Sequence, residues 1–168
     1  MRDAYCHLRP AAETDEEFLQ LLHERAYTKY VERIGGKPEP MTADWPSILK
    51  DDAVWLAEAD GNPVGALVLQ ARTDHVLVWS VAVEPRLQRR GIGRQLMRFA
   101  ELEARRRGVD EIRLYTNRAF SENIRLYREI GYAVTHTETR GSRALVHMRK
   151  YLGGWRDQSA GSAREPGR

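Results

Sequence analysis

Cysteine is nearly missing from this sequence. Cys6 is the only one in 168 residues, so no disulfide can form within the chain, and the expected compartment is the reducing cytoplasm. Long apolar runs are missing too. None approaches the ~20 residues that a membrane-spanning helix needs, so no membrane partner is expected. The opening Met1-Arg2-Asp3-Ala4-Tyr5-Cys6-His7 lacks the apolar block of a secretory leader. His7, His23, His75, His136 and His147 fall at no metal-ligand spacing, and no metal is expected. His75 reads as a turn residue. No Gly-x-Ser-x-Gly elbow is present, so transfer without a covalent enzyme intermediate is the expectation for any acyl chemistry. No internal repeat is visible.

What is present fits one soluble domain over residues 1–152, with 153–168, rich in Gly, Ser, Ala and charge, read as a disordered tail. The net charge is only +3, yet the basic residues are unevenly placed. Arg105, Arg106 and Arg107 close a predicted helix, where cations are favoured by the helix dipole. Arg86, Arg89, Arg90, Arg94 and Arg98 gather at a glycine-containing loop and the helix after it. A nucleic-acid partner is not expected, because the cluster lacks interleaved aromatics and a known binding motif.

Periodicity predicts the elements in order. Tyr5 to Arg9 reads as a strand stopped by Pro10. A helix starts at Thr14 or Asp15, with Phe18, Leu21, Leu22 and Ala26 at helical spacing. A short helix capped by Thr42 or Asp44 runs through Leu49. Val54–Ala59 and Val64–Gln70 form a hairpin around Asp60-Gly61-Asn62. Val76–Val83 is almost unbroken apolar, as expected of a strand covered on both faces. A helix from about Gly91 to Arg107 carries Ile92, Leu96, Phe99 and Ala100 on its buried stripe. Glu111–Thr116 is a strand, and the helix between suggests a parallel crossover from the previous one. Ser121 caps a last helix through Glu129, and Tyr132–Thr139 with Arg143–Arg149 forms a final hairpin.

The most informative stretch is Val81-Ala82-Val83-Glu84-Pro85, followed by Gln88-Arg89-Arg90-Gly91-Ile92-Gly93-Arg94. A strand feeds a loop that opens a helix. The first N–H groups of a helix lack internal partners and favour an anion. Taken alone, the glycines also fit an ordinary helix entry, and each arginine a solvated face.

The element order and two motifs resemble the GNAT superfamily of acyl-CoA-dependent N-acetyltransferases. The resemblance covers Tyr5 to Leu152, with its diagnostic residues between 79 and 132. The first motif, from Val81 through Gly93, is similar to that family's pyrophosphate loop; the second is Asn123 with Tyr127, then Gly131-Tyr132. The resemblance implies an α/β fold: a mixed, mostly antiparallel central sheet with one splayed parallel strand pair and helices on both faces. It implies acetyl-CoA as co-substrate and an amine acceptor. Gln88, Arg89, Arg90, Gly91, Ile92, Gly93 and Arg94 would bind pyrophosphate. The backbone of Val81, Ala82 and Val83 would align pantetheine and thioester, with an N–H near Val81 polarising the carbonyl. Asn123 would support the pantetheine arm, and Tyr127 would protonate the leaving thiolate, against the plainer reading of a half-buried packing residue.

The acceptor side is less legible. Tyr27, Tyr30, Glu32, Trp79 and Tyr115 are candidates to line it, against helix surface or core. Glu32 and Glu84 are the options for attracting a cation, although Glu84 equally fits an exposed strand end. No general base stands out. The expected function is acetyl transfer to a primary amine of a small molecule or peptide; the alternative is a non-catalytic acyl-CoA sensor. A homodimer is the default oligomeric expectation.

Overall fold

The computed structural model describes residues 5–153. Seven strands form one sheet: β1 (His7–Pro10), β2 (Ala53–Ala59), β3 (Asn62–Ala71), β4 (Val76–Val83), β5 (Glu111–Asn117), β6 (Ala133–Arg140) and β7 (Arg143–Tyr151), in the order β1-β2-β3-β4-β5-β7-β6. The helices are α1 (Glu16–Ile34), α2 (Trp45–Asp51), α3 (Ile92–Arg106) and α4 (Ser121–Glu129). Every neighbouring pair is antiparallel except β4 with β5. This is the expected mixed sheet. No helix among the described residues is long and apolar enough to cross a membrane.

Alternation along the strands divides the core in two. Ala66 and Val68 of β3 pack with Leu19, Leu22 and Ala26 of α1 and Trp45 of α2. Leu67 and Leu69 face the other way, onto Ile92, Leu96, Met97 and Ala100 of α3. Helices therefore cover both faces.

Several local expectations change. Leu21 is 41% exposed, and the buried stripe of α1 is Leu19, Leu22, His23, Ala26 and Tyr30. On α3, Met97 is buried, while Phe99 packs half-buried on Trp55 with ring centroids 4.6 Å apart. Phe120, not Ser121, occupies the cap position of α4, with no side-chain cap bond. Asp44 does cap α2, accepting from Ser47 N and Oγ. Pro10 is the last residue of β1 rather than its stop. His75 closes a turn, its carbonyl accepting from Arg72 N at 2.9 Å. Of the tail, only Gly153 falls within the described residues; 154–168 lie outside them.

Gly65 sets how closely α3 lies on the sheet. A Cβ there would sit 3.1 Å from the Ala82 carbonyl oxygen, 3.4 Å from Leu96 and 3.5 Å from Ile92. That carbonyl belongs to a central strand and has little room to yield. Gly65→Ala is expected to cost about 1–3 kcal/mol through overpacking, read as a lower urea midpoint; an unchanged midpoint would refute the close approach.

Candidate active site

The site begins with an irregularity in β4. Ser80 opposes Val68 and Val78 opposes Leu69, so Trp79 is the extra residue of a bulge. A bulge bends its strand and sharpens its twist. β4 pairs with β5 only at Val76–Val78, opposite Ile112–Leu114, and the two strands part beyond it. The bulge also inverts the facing of side chains. Val76 and Val78 pack with the α3 layer, and after a three-residue step that changes the parity Val81 and Val83 do. Trp79 and Ala82 belong to the α1 layer, and Ser80 bonds to His23 of α1.

Backbone groups fill the edge so opened. The Val81 carbonyl accepts from the Tyr27 hydroxyl at 3.3 Å, and the Val83 carbonyl from Gln88 Nε2 at 3.1 Å. Glu84 N–H points the other way and donates to Val64 O at 2.9 Å. A strand residue directs its N–H and C=O to the same side. The amides of Val81 and Val83 therefore face the gap, where no strand meets them.

A cavity of about 510 Å³ runs from this edge to the loop before α3. Gln88, Arg89, Gly91, Gly93 and Arg94 line it, with Asn123 and Tyr127 of α4 opposite. Gly91 holds φ 82°, which glycine adopts without a Cβ penalty, and Arg89 holds φ 62°, a strained value for a side-chain-bearing residue. Hydrogen bonding within α3 starts with Gln95 N donating to Gly91 O, so the preceding helical amides are the unpaired donors of its N-terminus. Ile92 is buried beneath them. Arg90 is exposed and does not line the cavity, and Arg94 is paired with Glu129. Lys29 of α1 donates to Gln88 Oε1 at 3.0 Å from the far wall.

A second, narrower cavity of about 80 Å³ occupies the gap itself, lined by Trp79, Ser80 and Val81 on one side and Tyr115, Thr116 and Asn117 on the other. Tyr27, Val81, Asn123 and Tyr127 line both cavities. The expected donor and acceptor residues thus meet at four shared positions. Tyr30 lies on the larger cavity instead of the narrow one, stacked on Phe120 with its hydroxyl donating to Asn123 Oδ1 at 3.3 Å. Glu32 is exposed on α1 and lines neither cavity. Glu84 is buried and paired with Arg25, so it is no exposed strand end. The carboxylate in the narrow cavity's lining is Glu39, which accepts from Tyr115 at 3.4 Å. Sequence reasoning missed Glu39, because its Gly-Gly-Lys-Pro-Glu-Pro loop has no period. It also missed His23, although Leu19, His23 and Tyr27 recur at four-residue spacing on one helix face.

Burial sets the protonation states. Desolvation raises the phenols of Tyr27 and Tyr127 and pushes Tyr115 up to about 12, so all three stay protonated at neutral pH. The same effect lowers His23 to about 4 and keeps it neutral. Among the described residues no group of three or more His, Cys, Asp or Glu side chains is arranged to hold a metal ion.

A family model described as the acetyltransferase (GNAT) family matches residues 16–132. Serotonin N-acetyltransferase 2, chloroplastic, of Oryza sativa subsp. japonica is 33% identical over 95 residues, which span 54% of this chain and 46% of that protein. The matched segment is thus less than half of that relative. The PaiA N-acetyltransferase of Thermoplasma acidophilum, in complex with coenzyme A, superimposes with a TM-score of 0.75 at 21% identity, over 88% of this chain and 99% of that one. A GNAT family acetyltransferase of Elizabethkingia anophelis with acetyl-CoA bound gives 0.65 at 16% identity, over 88% and 98%. At such identities the superpositions establish a shared fold.

The packing of α1 on β4 can be tested without a ligand. His23 is depressed from 6.5 to about 4 by burial, so the unfolded chain takes up its proton first as the pH falls. The associated stability is complete above about pH 6.5 and is lost as the pH drops through 4, by at most roughly 3 kcal/mol. The stability difference between wild type and His23→Gln, from urea unfolding at several pH values, should shrink over that window. A difference independent of pH would contradict the buried neutral imidazole.

Proposed function

Because this chain belongs to the GNAT acetyltransferase family, we propose that it moves the acetyl group of acetyl-CoA directly to a primary amine of a small-molecule or peptide acceptor. One observation carries the reading: a wide cavity ending at a helix N-terminus and a narrow one in the strand gap converge on Tyr27, Val81, Asn123 and Tyr127. A sensor that only held acyl-CoA would need the first cavity and not the second.

In this reading the pyrophosphate sits on the α3 amides, with Arg89 and Arg94 adding charge. Pantetheine lies along β4, its amides meeting those of Val81 and Val83 as an added strand would. The Asn123 side-chain oxygen is taken by Tyr30, which leaves its amide hydrogens to the pantetheine arm. The nitrogen lone pair forms the C–N bond as the carbonyl π pair moves onto oxygen, where the Val81 N–H stabilises it. Collapse restores the carbonyl and expels sulfur with the C–S pair. Tyr127 gives its phenolic proton to that thiolate, and the proton shed by nitrogen returns to Tyr127 through water. One proton moves, net, from nitrogen to sulfur.

The walls of Trp79, Tyr115 and Phe120, with one carboxylate, Glu39, and one guanidinium, Arg143, among them, favour a neutral primary amine on an apolar body, its ammonium proton left to water on entry. The narrow cavity is far below the usual ~300–1,000 Å³ of a ligand pocket, so it suits the reacting end alone. The Oryza relative, named for serotonin, a primary alkylamine on an aromatic body, supports that choice of acceptor.

Titration calorimetry with acetyl-CoA, followed by thiol release with a panel of amines, tests the reading; no heat at millimolar ligand would sink it. Tyr127→Phe is expected to lower kcat about 10²-fold with CoA affinity unchanged, and undiminished turnover would remove the acid role. A Cβ on Gly93 would meet no protein atom within 4 Å. Gly93→Val is therefore expected to weaken acetyl-CoA binding by roughly tenfold or more, through lost access to the helix amides, while the protein stays folded. Unaltered affinity would place the pyrophosphate elsewhere.

A further inference from the structure

His23 is fully buried between α1 and β4, and the transfer chemistry above leaves it without a part. Its Nδ1 lies 2.7 Å from the Leu19 carbonyl oxygen. A carbonyl only accepts, so Nδ1 carries the hydrogen. A neutral imidazole has one N–H, and burial keeps this ring neutral. Nε2 is therefore a bare acceptor, and its partner is Ser80 Oγ at 2.9 Å. The hydroxyl proton of Ser80 is committed to His23, which leaves the Ser80 oxygen able only to accept. The Tyr27 hydroxyl reaches two acceptors on β4: Ser80 Oγ at 3.4 Å and Val81 O at 3.3 Å. Its one proton points into the strand, and its lone pairs face the junction of the two cavities. The rings of Tyr27 and Trp45 pack on His23 at 6.0 and 4.5 Å between centroids. Among the described residues no charged group is hydrogen-bonded to any member of this chain of contacts.

We infer that Tyr27 is a catalytic residue whose oxygen accepts a hydrogen bond from the attacking nitrogen, and that Ser80 and His23 are positioning residues that turn its proton away from the substrate. The inference rests on the acetyltransferase reading and adds to it. An amine attacking a thioester held at Val81 must aim its lone pair at the carbonyl carbon, so its N–H bonds need a partner to one side. Tyr27, anchored to the Val81 carbonyl, supplies that partner next to the reacting atoms. No proton is transferred to it; the nitrogen's proton follows the route through water and Tyr127. The two tyrosines at the junction then divide the work by polarity, Tyr127 offering a proton to sulfur and Tyr27 a lone pair to nitrogen.

The test uses the full chain with acetyl-CoA and the best amine of the panel. Tyr27→Phe should lower kcat about 10²-fold through lost orientation of the nucleophile, with acetyl-CoA affinity within twofold of wild type. His23→Phe keeps a ring between Tyr27 and Trp45 but releases the Ser80 proton to point at Tyr27; kcat should fall roughly tenfold through misorientation. His23→Gln restores an acceptor and should recover most of the loss, which a purely structural role would not require. Nitrogen-15 NMR of wild-type histidines reads the tautomer even if the phenylalanine variant fails to fold: hydrogen on Nδ1 supports the inference, and hydrogen on Nε2 overturns it. Wild-type turnover by Tyr27→Phe would overturn this inference alone. A wild type that releases no thiol with any amine would overturn the acetyltransferase reading, and this inference with it.

Discussion

The bulge at Trp79 is the constraint on which the rest of this site depends. One extra residue in β4 does three things together. It ends the parallel pairing with β5 after Val78, which opens the gap. It changes the parity of the strand, so that Ser80 reaches α1 while Val81 returns to the α3 layer. It leaves the amides of Val81 and Val83 directed at the gap, with their carbonyls tied to Tyr27 and Gln88. Unpaired backbone inside a fold is costly. Here the open edge borders the two cavities instead of closed core.

In the proposed reading main-chain groups provide most of the recognition, and side chains mainly hold them in place. Gln88 anchors the loop to β4 and also accepts from Lys29 of α1. Arg94 is neutralised in part by Glu129, so the positive character at the cavity comes from Arg89 together with the aligned helix amides. Across the gap, Tyr30 stacks on Phe120, and Arg33 pairs with Glu122. These contacts hold α1 against α4 over the place where the two cavities join.

Much of the fold was legible. The bounds of β4 were read correctly, because an eight-residue apolar run flanked by turn residues has few other solutions. The loop and the Asn123–Tyr127 pair were legible as motifs, and the structure brings them to one cavity. The bulge was not legible. Trp79 and Ser80 fit an alternating strand as well as an irregular one, and only the partner strand reveals the extra residue. The α1 stripe was misjudged at Leu21, because hydrophobicity alone passed over His23, whose polar atoms are satisfied inside the core by Leu19 and Ser80. Glu32 and Glu84 were the carboxylates named for the acceptor, and Glu39 went unnoticed because helices and strands have a period and its segment has none. Placing a loop carboxylate in a strand gap takes tertiary structure.

The central claim is that the Val81 and Val83 amides, set free by the bulge, receive the acyl-CoA. Amide NMR during titration with acetyl-CoA measures this most directly. The account predicts that both resonances shift and their solvent exchange slows on saturation, while those of Leu67 and Leu69 on the neighbouring strand change little. Resonances of Val81 and Val83 that stay in place with acetyl-CoA fully bound would contradict it.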